Sequence, residues 1–192
     1  MVKNERFIQV EIKSTDELRE WLQLNHTQKV SVWLVLYKKS YGKYYVPKQD
    51  IIDELLCFGW LDGMARKVNE DTYLLLVSSR RIEHWAESYK RRIRVLEAEN
   101  KMADAGIKAV EQSKQNGSWN YMDDVDALIK PPDFIKCLEE NPPAMENFDA
   151  FGASSKRYML RYIKIAKTAK TRKSRINDIT SLAKENKKLL GS

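Results

Sequence analysis

The sequence predicts an α+β protein with a small antiparallel sheet and helices in its N-terminal part and a helical C-terminal module. Three observations favour this class. Runs rich in β-branched and aromatic residues are confined to the first 80 residues, helical spacing prevails afterwards, and prolines divide the last third into short segments. We predict an α+β domain over residues 1–120 and a basic helical module over residues 121–192, or one domain that combines them.

The first elements are predicted from alternation and capping. The run "RFIQVEI" alternates as a half-buried strand does. In "STDELREWLQLN", Ser14 and Glu17 can form a capping box, and Leu18, Trp21 and Leu22 form an apolar stripe, so this segment predicts a helix. The run "VSVWLVLYKK" is almost continuously apolar, which predicts a central strand covered on both faces.

The next stretch predicts a helix followed by a meander of antiparallel strands. The run "YYV" is predicted as a short hairpin strand that Pro47 ends. Helical spacing returns in "KQDIIDELLC", and Gly59 is predicted to end that helix in the left-handed conformation. The pair Asp62-Gly63 favours a type I′ hairpin turn, and "NED" at 69–71 offers a second turn before the strand "TYLLLV".

After Ser79 the apolar spacing is helical almost throughout. The run "RRIEHWAESYKRRIRVLEAENK" predicts a long amphipathic helix, and "ADAGIKAVEQSKQNG" predicts another that stops at Asn116-Gly117. Between the prolines, "DFIKCLEE" and "AMENFDAF" predict two shorter helices. Two more helices close the chain, with apolar faces that contain Met159 and Ile176.

Charge is concentrated near the C-terminus. The chain carries +7 overall, and residues 154–192 contain twelve Lys or Arg against Asp178 and Glu185, so that segment carries +10 and the first 153 residues carry −3. This distribution indicates an anionic partner or a solvated helical surface. No apolar run reaches about 18 residues and the first residues are polar, so we expect a cytoplasmic protein without a transmembrane segment.

Catalytic and cofactor motifs are weak. The two histidines, His26 and His84, lie far from each other and from Cys57 and Cys137, which argues against a metal site. Cys57 ends an apolar helix, where burial raises the thiol pKa and disfavours a nucleophile. No glycine-rich phosphate loop is present, so no cofactor is expected and a non-enzymatic function is favoured.

Two groups of residues are candidate binding sites. The first is a corner around "CFGWLDGMAR", where arginines could hold an anion and indoles could stack on a planar group: Trp60, Asp62, Arg66, Arg80 and Trp85. The structural alternative is that the glycines serve backbone geometry, the tryptophans fill the core, and Asp62 pairs with an arginine to fix the corner.

The second candidate site lies on the last helices, where cations alternate with tyrosines. Its residues could contact an anion or the phosphates of a nucleic acid: Arg157, Arg161, Lys164, Arg172 and Arg175. The alternative is a solvated basic face with Tyr162 in the core. Binding to an anionic membrane surface is less favoured, because this segment lacks exposed tryptophan or phenylalanine anchors.

The chain also resembles a known family. The segment "LCFGWLDGMARKVNEDTYLLLVSSRR", the helix "MADAGIKAVEQSKQNGSW" and the segment "NPPAMENFDAFGASSKRYMLRYIKIAKTAKTRKSRI" are similar to the YdeI/OmpD-associated, or bacteriocin-protection, family over roughly residues 30 to 185. The chain departs from the family pattern at Ser79, where a proline is usual, and at Tyr89, where many members carry an asparagine.

The resemblance implies a non-enzymatic cytoplasmic protein of the YdeI/OmpD-associated type that functions in binding or in stress or bacteriocin protection, without a transferable mechanism. Two alternatives stay open. One is nucleic-acid binding through the basic C-terminal helices, and the other is an enzyme or binding module for an anionic small molecule at the Trp60/Arg80 corner. The physiological partner and the oligomeric state are unknown from the sequence.

Overall fold

The computed structural model describes residues 7–79 and 85–191. The chain divides between Asn120 and Tyr121 into two compact units, unit 1 and unit 2. Each unit has its own cluster of buried apolar side chains. Among the described residues, no helix has the length and apolar character needed to cross a membrane.

Unit 1 combines four strands and four α-helices in the described part of the chain. In order, these are β1 (Gln9–Glu11), α1 (Thr15–Asn25), β2 (Val32–Tyr37), a 3₁₀ helix (Lys39–Tyr41), α2 (Lys48–Cys57), β3 (Trp60–Lys67), β4 (Thr72–Ser79), α3 (Glu87–Ala98) and α4 (Asp104–Gln115). The predicted Ser14 cap of α1 is present, since Ser14 Oγ accepts from the Glu17 amide at 3.1 Å, but the returning bond of the capping box is displaced by one residue: Glu17 Oε2 accepts from the Lys13 amide at 2.7 Å. The α+β class is therefore confirmed.

The sheet is mixed, and the prediction of a purely antiparallel sheet is wrong. The strand order is β1-β2-β4-β3, with β1 parallel to β2 and the other two pairs antiparallel. The parallel pair arises because α1 carries the chain across the sheet between β1 and β2, as parallel strands require. The strand β2 lies inside the sheet and is mostly buried, as predicted.

Two predicted local features of this sheet are also wrong. Asp62 and Gly63 lie within β3 and form no turn, and the pairing of β3 with β4 shifts register between Asp62 and Ala65. The chain turns later, at 68–71, where Asn69 Oδ1 accepts from the amides of Asp71 and Thr72 at 2.9 and 2.7 Å. The turn predicted at "NED" before the strand "TYLLLV" is therefore confirmed, and the Asp-Gly turn is absent. The run "YYV" at 44–46 forms no strand: a turn covers 43–44, and the chain is irregular from there to α2.

The long helix predicted over "RRIEHWAESYKRRIRVLEAENK" is shorter in the structure, where α3 begins at Glu87. Residues 80–84, which include Arg80 and Ile82, lie outside the described residues. The helix α4 ends at Gln115, directly before the predicted stop at Asn116-Gly117.

Unit 2 is helical in its described part. Its helices are α5 (Asp123–Asp126), α6 (Pro132–Glu139), α7 (Ala144–Ala150), α8 (Ala153–Lys164) and α9 (Ala169–Lys184). The core includes Phe134 and Phe148, whose rings meet edge to face with centroids 5.0 Å apart. The apolar stripes predicted for α8 and α9 are buried, which places the charged faces of both helices outward.

Candidate functional site

The first glycine of "CFGWLDGMAR", Gly59, lies at a close contact between the backbones of two helices. We call this contact the glycine joint: Cys57 and Gly59 at the end of α2 against Ala105, Gly106 and Ala109 of α4. Gly59 has φ +70, as predicted, and a Cβ there would lie 2.9 Å from Ala109 Cβ. A Cβ on Gly106 would lie 2.2 Å from the Cys57 carbonyl oxygen. Neither glycine can carry a side chain without moving the backbone of α2 or α4.

The indoles of the predicted corner fill the core of unit 1. Trp60 is fully buried, donates from Nε1 to the His26 carbonyl at 3.0 Å and meets Trp21 edge to face. Trp85 is also fully buried, and its ring centroid lies 5.1 Å from that of Trp119. Neither indole presents a face to solvent, so their packing favours the structural alternative.

The polar members of the corner are separated. The Asp62 carboxylate is largely buried; it accepts from the Tyr89 hydroxyl at 2.8 Å and lies 3.9 Å from Lys48 Nζ. Arg66 is exposed on β3, which is an edge strand. Arg80 lies outside the described residues. The structure thus brings Asp62 together with a tyrosine and a lysine, and the polar role of Tyr89 is one that the sequence did not indicate.

Buried charges near the joint are paired. Asp53 accepts two hydrogen bonds from Arg92, both at 2.5 Å, and Glu54 pairs with Arg19 at 2.8 Å. Burial raises the pKa of Glu54, and the neighbouring Arg19 opposes that shift. Burial, reinforced by Glu54, also raises the pKa of the Cys57 thiol to about 11. The predicted burial of Cys57 is confirmed, and its thiol is neutral at pH 7.

No group of three or more potential metal ligands occurs within residues 7–79 and 85–191. Cys137, the cysteine of unit 2, is partly exposed, and its Sγ lies 3.7 Å from Asn177 Oδ1. It lines an open groove of about 480 Å³ between α6 and α9, which Lys136, Arg172 and Ile176 also border.

Two of the five cations predicted to contact an anion form ion pairs inside unit 2. Lys164 pairs with Asp124, and Arg172 holds Asp133 through two hydrogen bonds of 2.7 and 2.8 Å. The hydrogen bonds from Arg172 lower the pKa of Asp133. The acidic helices α5 and α6 therefore neutralise part of the charge that the sequence places on α8 and α9.

Within the described residues, three of the predicted cations form no such ion pair: Arg157, Arg161 and Arg175. Arg157 Nε donates to the Asp126 carbonyl at 3.4 Å, and no carboxylate of the described residues pairs with its charge. Arg175 donates to the Tyr162 carbonyl at 2.6 Å, and its guanidinium lies over the Tyr162 ring at 4.2 Å. Arg161 is exposed at the end of α8.

Further exposed cations surround the start of α9. Lys167, Lys170 and Lys173 are exposed, and no carboxylate of the described chain lies within ion-pair distance of them or of Arg161. All three lysines belong to the dense basic run "KTAKTRKSR" at 167–175, whose composition alone favours contact with phosphates. We call Arg161, Lys167, Lys170, Lys173 and Arg175 the α8–α9 surface.

A shallow pocket of about 330 Å³ lies on this surface. Cations, hydroxyl groups, one phenol ring and one carboxylate line it: Lys170, Arg175, Thr171, Ser174, Tyr162 and Asp178. Because Arg175 is held by both a hydrogen bond and a ring contact, its guanidinium is fixed beside the pocket. Guanidinium, ammonium and hydroxyl groups are the donors that recognise phosphate oxygens.

Two family models match different parts of the chain. Residues 10–109, more than half of the chain, match the model of a domain of unknown function, DUF8412. Residues 127–186 match the family described as bacteriocin-protection, YdeI or OmpD-associated. This second match confirms the family resemblance but is narrower than the span of roughly 30 to 185 that the motifs suggested. No curated protein and no solved structure shows significant similarity to the chain.

The glycine joint lies within the first match, and the α8–α9 surface lies within the second. The chain therefore belongs to the DUF8412 family and carries a C-terminal module of the YdeI/OmpD-associated type.

Proposed function

We propose that this protein is a non-enzymatic binding protein whose unit 2 binds the phosphates of a nucleic acid through the α8–α9 surface. The observation that carries the proposal is the α8–α9 pocket, where a fixed guanidinium and an exposed ammonium lie beside two hydroxyl groups. The family match supports the YdeI/OmpD-associated type, and the binding activity is our inference.

The geometry of Arg175 supports recognition of a phosphate. A guanidinium offers five N–H donors in a rigid fork, and the bond to the Tyr162 carbonyl uses one NH group. Since the Tyr162 ring already restrains the side chain, less conformational entropy is lost when an anion binds. Lys170, which is exposed on the same pocket, adds a mobile charge.

The start of α9 adds positive potential. This 16-residue helix has no acidic residue in its first turn, so its amide groups and helix dipole are not offset there by a carboxylate of that turn. Asp178 borders the pocket from the next turns of α9 and weakens the attraction for a small anion. The remaining cations extend beyond the pocket, which favours a ligand with several phosphates.

The test is fluorescence anisotropy of labelled oligonucleotides with a double charge reversal, Lys170→Glu with Lys173→Glu. The control carries the same change in charge elsewhere in unit 2, Lys184→Glu with Lys188→Glu, since both lysines are exposed and neither lines the pocket or the α6–α9 groove. We expect the first variant to bind at least about tenfold more weakly and the control to change by less than about threefold. Equal loss in both variants, or no binding by the unmodified protein, would contradict the proposal.

A further inference from the structure

Unit 1 carries a group of tyrosines at its surface that the predicted sites do not include. We call Tyr37, Tyr41 and Tyr44 the tyrosine platform. The ring centroids of Tyr37 lie 4.7 Å from Tyr41 and 5.3 Å from Tyr44, and those of Tyr41 and Tyr44 lie 6.0 Å apart in a stacked arrangement. Tyr41 is 42% exposed, and the other two rings are half-buried. Three rings therefore form one aromatic surface that solvent reaches.

The fold anchors the segment that carries these tyrosines to the loop between β3 and β4. Tyr37 ends β2, the 3₁₀ helix contains Tyr41, and the turn after it returns Tyr44 to the other two rings. Lys38 Nζ donates to the carbonyls of Asn69 and Glu70 at 2.6 and 3.0 Å, which ties the start of this segment to the loop between β3 and β4.

Lysines surround the platform. Lys43 Nζ lies 4.9 Å and Lys13 Nζ 5.5 Å from the centroid of the Tyr44 ring, and Lys39 is exposed in the 3₁₀ helix. The acidic neighbour Glu11 accepts from the Tyr37 hydroxyl and pairs with Lys13 at 2.6 Å. Since Lys13 balances Glu11, Lys39 and Lys43 give the platform a positive rim.

We propose that the tyrosine platform binds unpaired bases of single-stranded nucleic acid, with Tyr41 and Tyr44 stacking on bases and Lys39 and Lys43 contacting the adjacent phosphates. Exposed aromatic rings among cations are the arrangement that binds single strands without sequence preference, because every base has a π face. This inference takes its ligand class from the proposed function but relies on other residues, in the other unit. A duplex keeps its bases paired and offers no such contact.

Two pairs of substitutions test the stacking contact in the full-length protein. The first is Tyr41→Ala with Tyr44→Ala, and the matched control is Tyr41→Phe with Tyr44→Phe, which keeps the rings and removes the hydroxyl groups. Each variant is titrated with a labelled oligothymidine and with a duplex of the same length. We expect the alanine pair to bind the single strand at least about tenfold more weakly and the duplex unchanged, and the phenylalanine pair to bind both normally.

The outcomes separate this inference from the proposed function. Loss of single-strand binding in the alanine pair, with no effect of Lys170→Glu and Lys173→Glu, would support the platform and overturn the role of the α8–α9 surface. Unchanged single-strand binding in the alanine pair overturns the platform. Equal loss for single strand and duplex also overturns it, as does binding too weak to measure in the unmodified protein.

Discussion

The glycine joint and the α8–α9 surface are the two regions that the sequence makes conspicuous, and they differ in where their polar groups and aromatic rings lie. At and around the joint, Trp60 is buried and Asp53, Glu54 and Asp62 each have a partner. On the α8–α9 surface, Lys170 and Lys173 are exposed and lack a carboxylate within ion-pair distance in the described chain. The cluster of glycines and tryptophans thus reflects close packing at the joint, whereas the cluster of lysines and arginines leaves exposed positive charge at the α8–α9 surface.

The largest effect is expected from Gly106→Val at the joint. The added side chain would meet the Cys57 carbonyl at 2.2 Å, so α4 must move away from α2, and we expect a loss of about 3 kcal/mol in the free energy of unfolding. Urea denaturation followed by tryptophan fluorescence measures this loss in unit 1, because all five tryptophans lie before Tyr121.

The matched control is Gly152→Ala in unit 2, where an added Cβ meets no atom within 4 Å and φ is −60. Thermal unfolding followed by circular dichroism should show a loss of about 1 kcal/mol at most for this variant, because alanine meets no steric conflict there and is only a poorer N-cap of α8 than glycine. A Gly106→Val protein with an unchanged urea midpoint would show that the joint tolerates a side chain, and the packing explanation of the motif would be wrong.

The two cysteines offer a second contrast. Cys57 is fully buried with a pKa of about 11, whereas Cys137 borders an open groove, so a thiol reagent at pH 8 should label Cys137 at least about 100-fold faster. Mass spectrometry of the labelled protein measures the ratio. Similar rates for both thiols would show that the joint opens readily.

The raised pKa of Cys57 also predicts a pH dependence. Because the folded state holds the proton more tightly than the unfolded chain does, the stabilising contribution is complete below pH 9 and is lost as the pH rises toward 11. Comparison of the unmodified protein with Cys57→Ala across this range isolates the contribution. A parallel pH profile for the two proteins would rule out a coupling to Cys57.

A smaller effect is expected from Tyr89→Phe. The substitution removes the hydrogen bond to the largely buried Asp62 carboxylate but leaves Lys48 nearby, so we expect a loss of about 1 kcal/mol in the free energy of unfolding. The same urea titration measures it, and nucleic-acid binding should be unchanged. A change in nucleic-acid affinity without a change in stability would instead support the prediction that Asp62 belongs to a binding site.

Local sequence patterns predicted the features that depend on local chemistry. The Ser14 cap, the left-handed Gly59 and the stripes of α8 and α9 follow from capping geometry and helical period. The parallel pairing of β1 with β2 and the pairing of Arg172 with Asp133 depend on tertiary contacts between distant residues. The Asp62-Gly63 turn is absent because β3 continues through both residues in its pairing with β4, and the chain turns at the second predicted position, which the side chain of Asn69 caps.

The candidate sites show the same division. The basic segment is evident from composition, but which cations stay exposed depends on where α5 and α6 place their carboxylates. The tyrosine platform was missed because "YYV" was interpreted as a strand, and its three rings meet only when the chain turns after Tyr41.

The salt dependence of nucleic-acid affinity tests the role of the α8–α9 surface most directly. We would measure the dissociation constant of a single-stranded oligonucleotide between about 50 and 300 mM salt for the unmodified protein and for Lys170→Glu with Lys173→Glu. If the two lysines bind phosphates, the slope of log affinity against log salt becomes shallower by about 1.4 in the variant, or about 0.7 for each phosphate that a lysine no longer neutralises. Identical slopes in the two proteins would contradict phosphate binding at this surface.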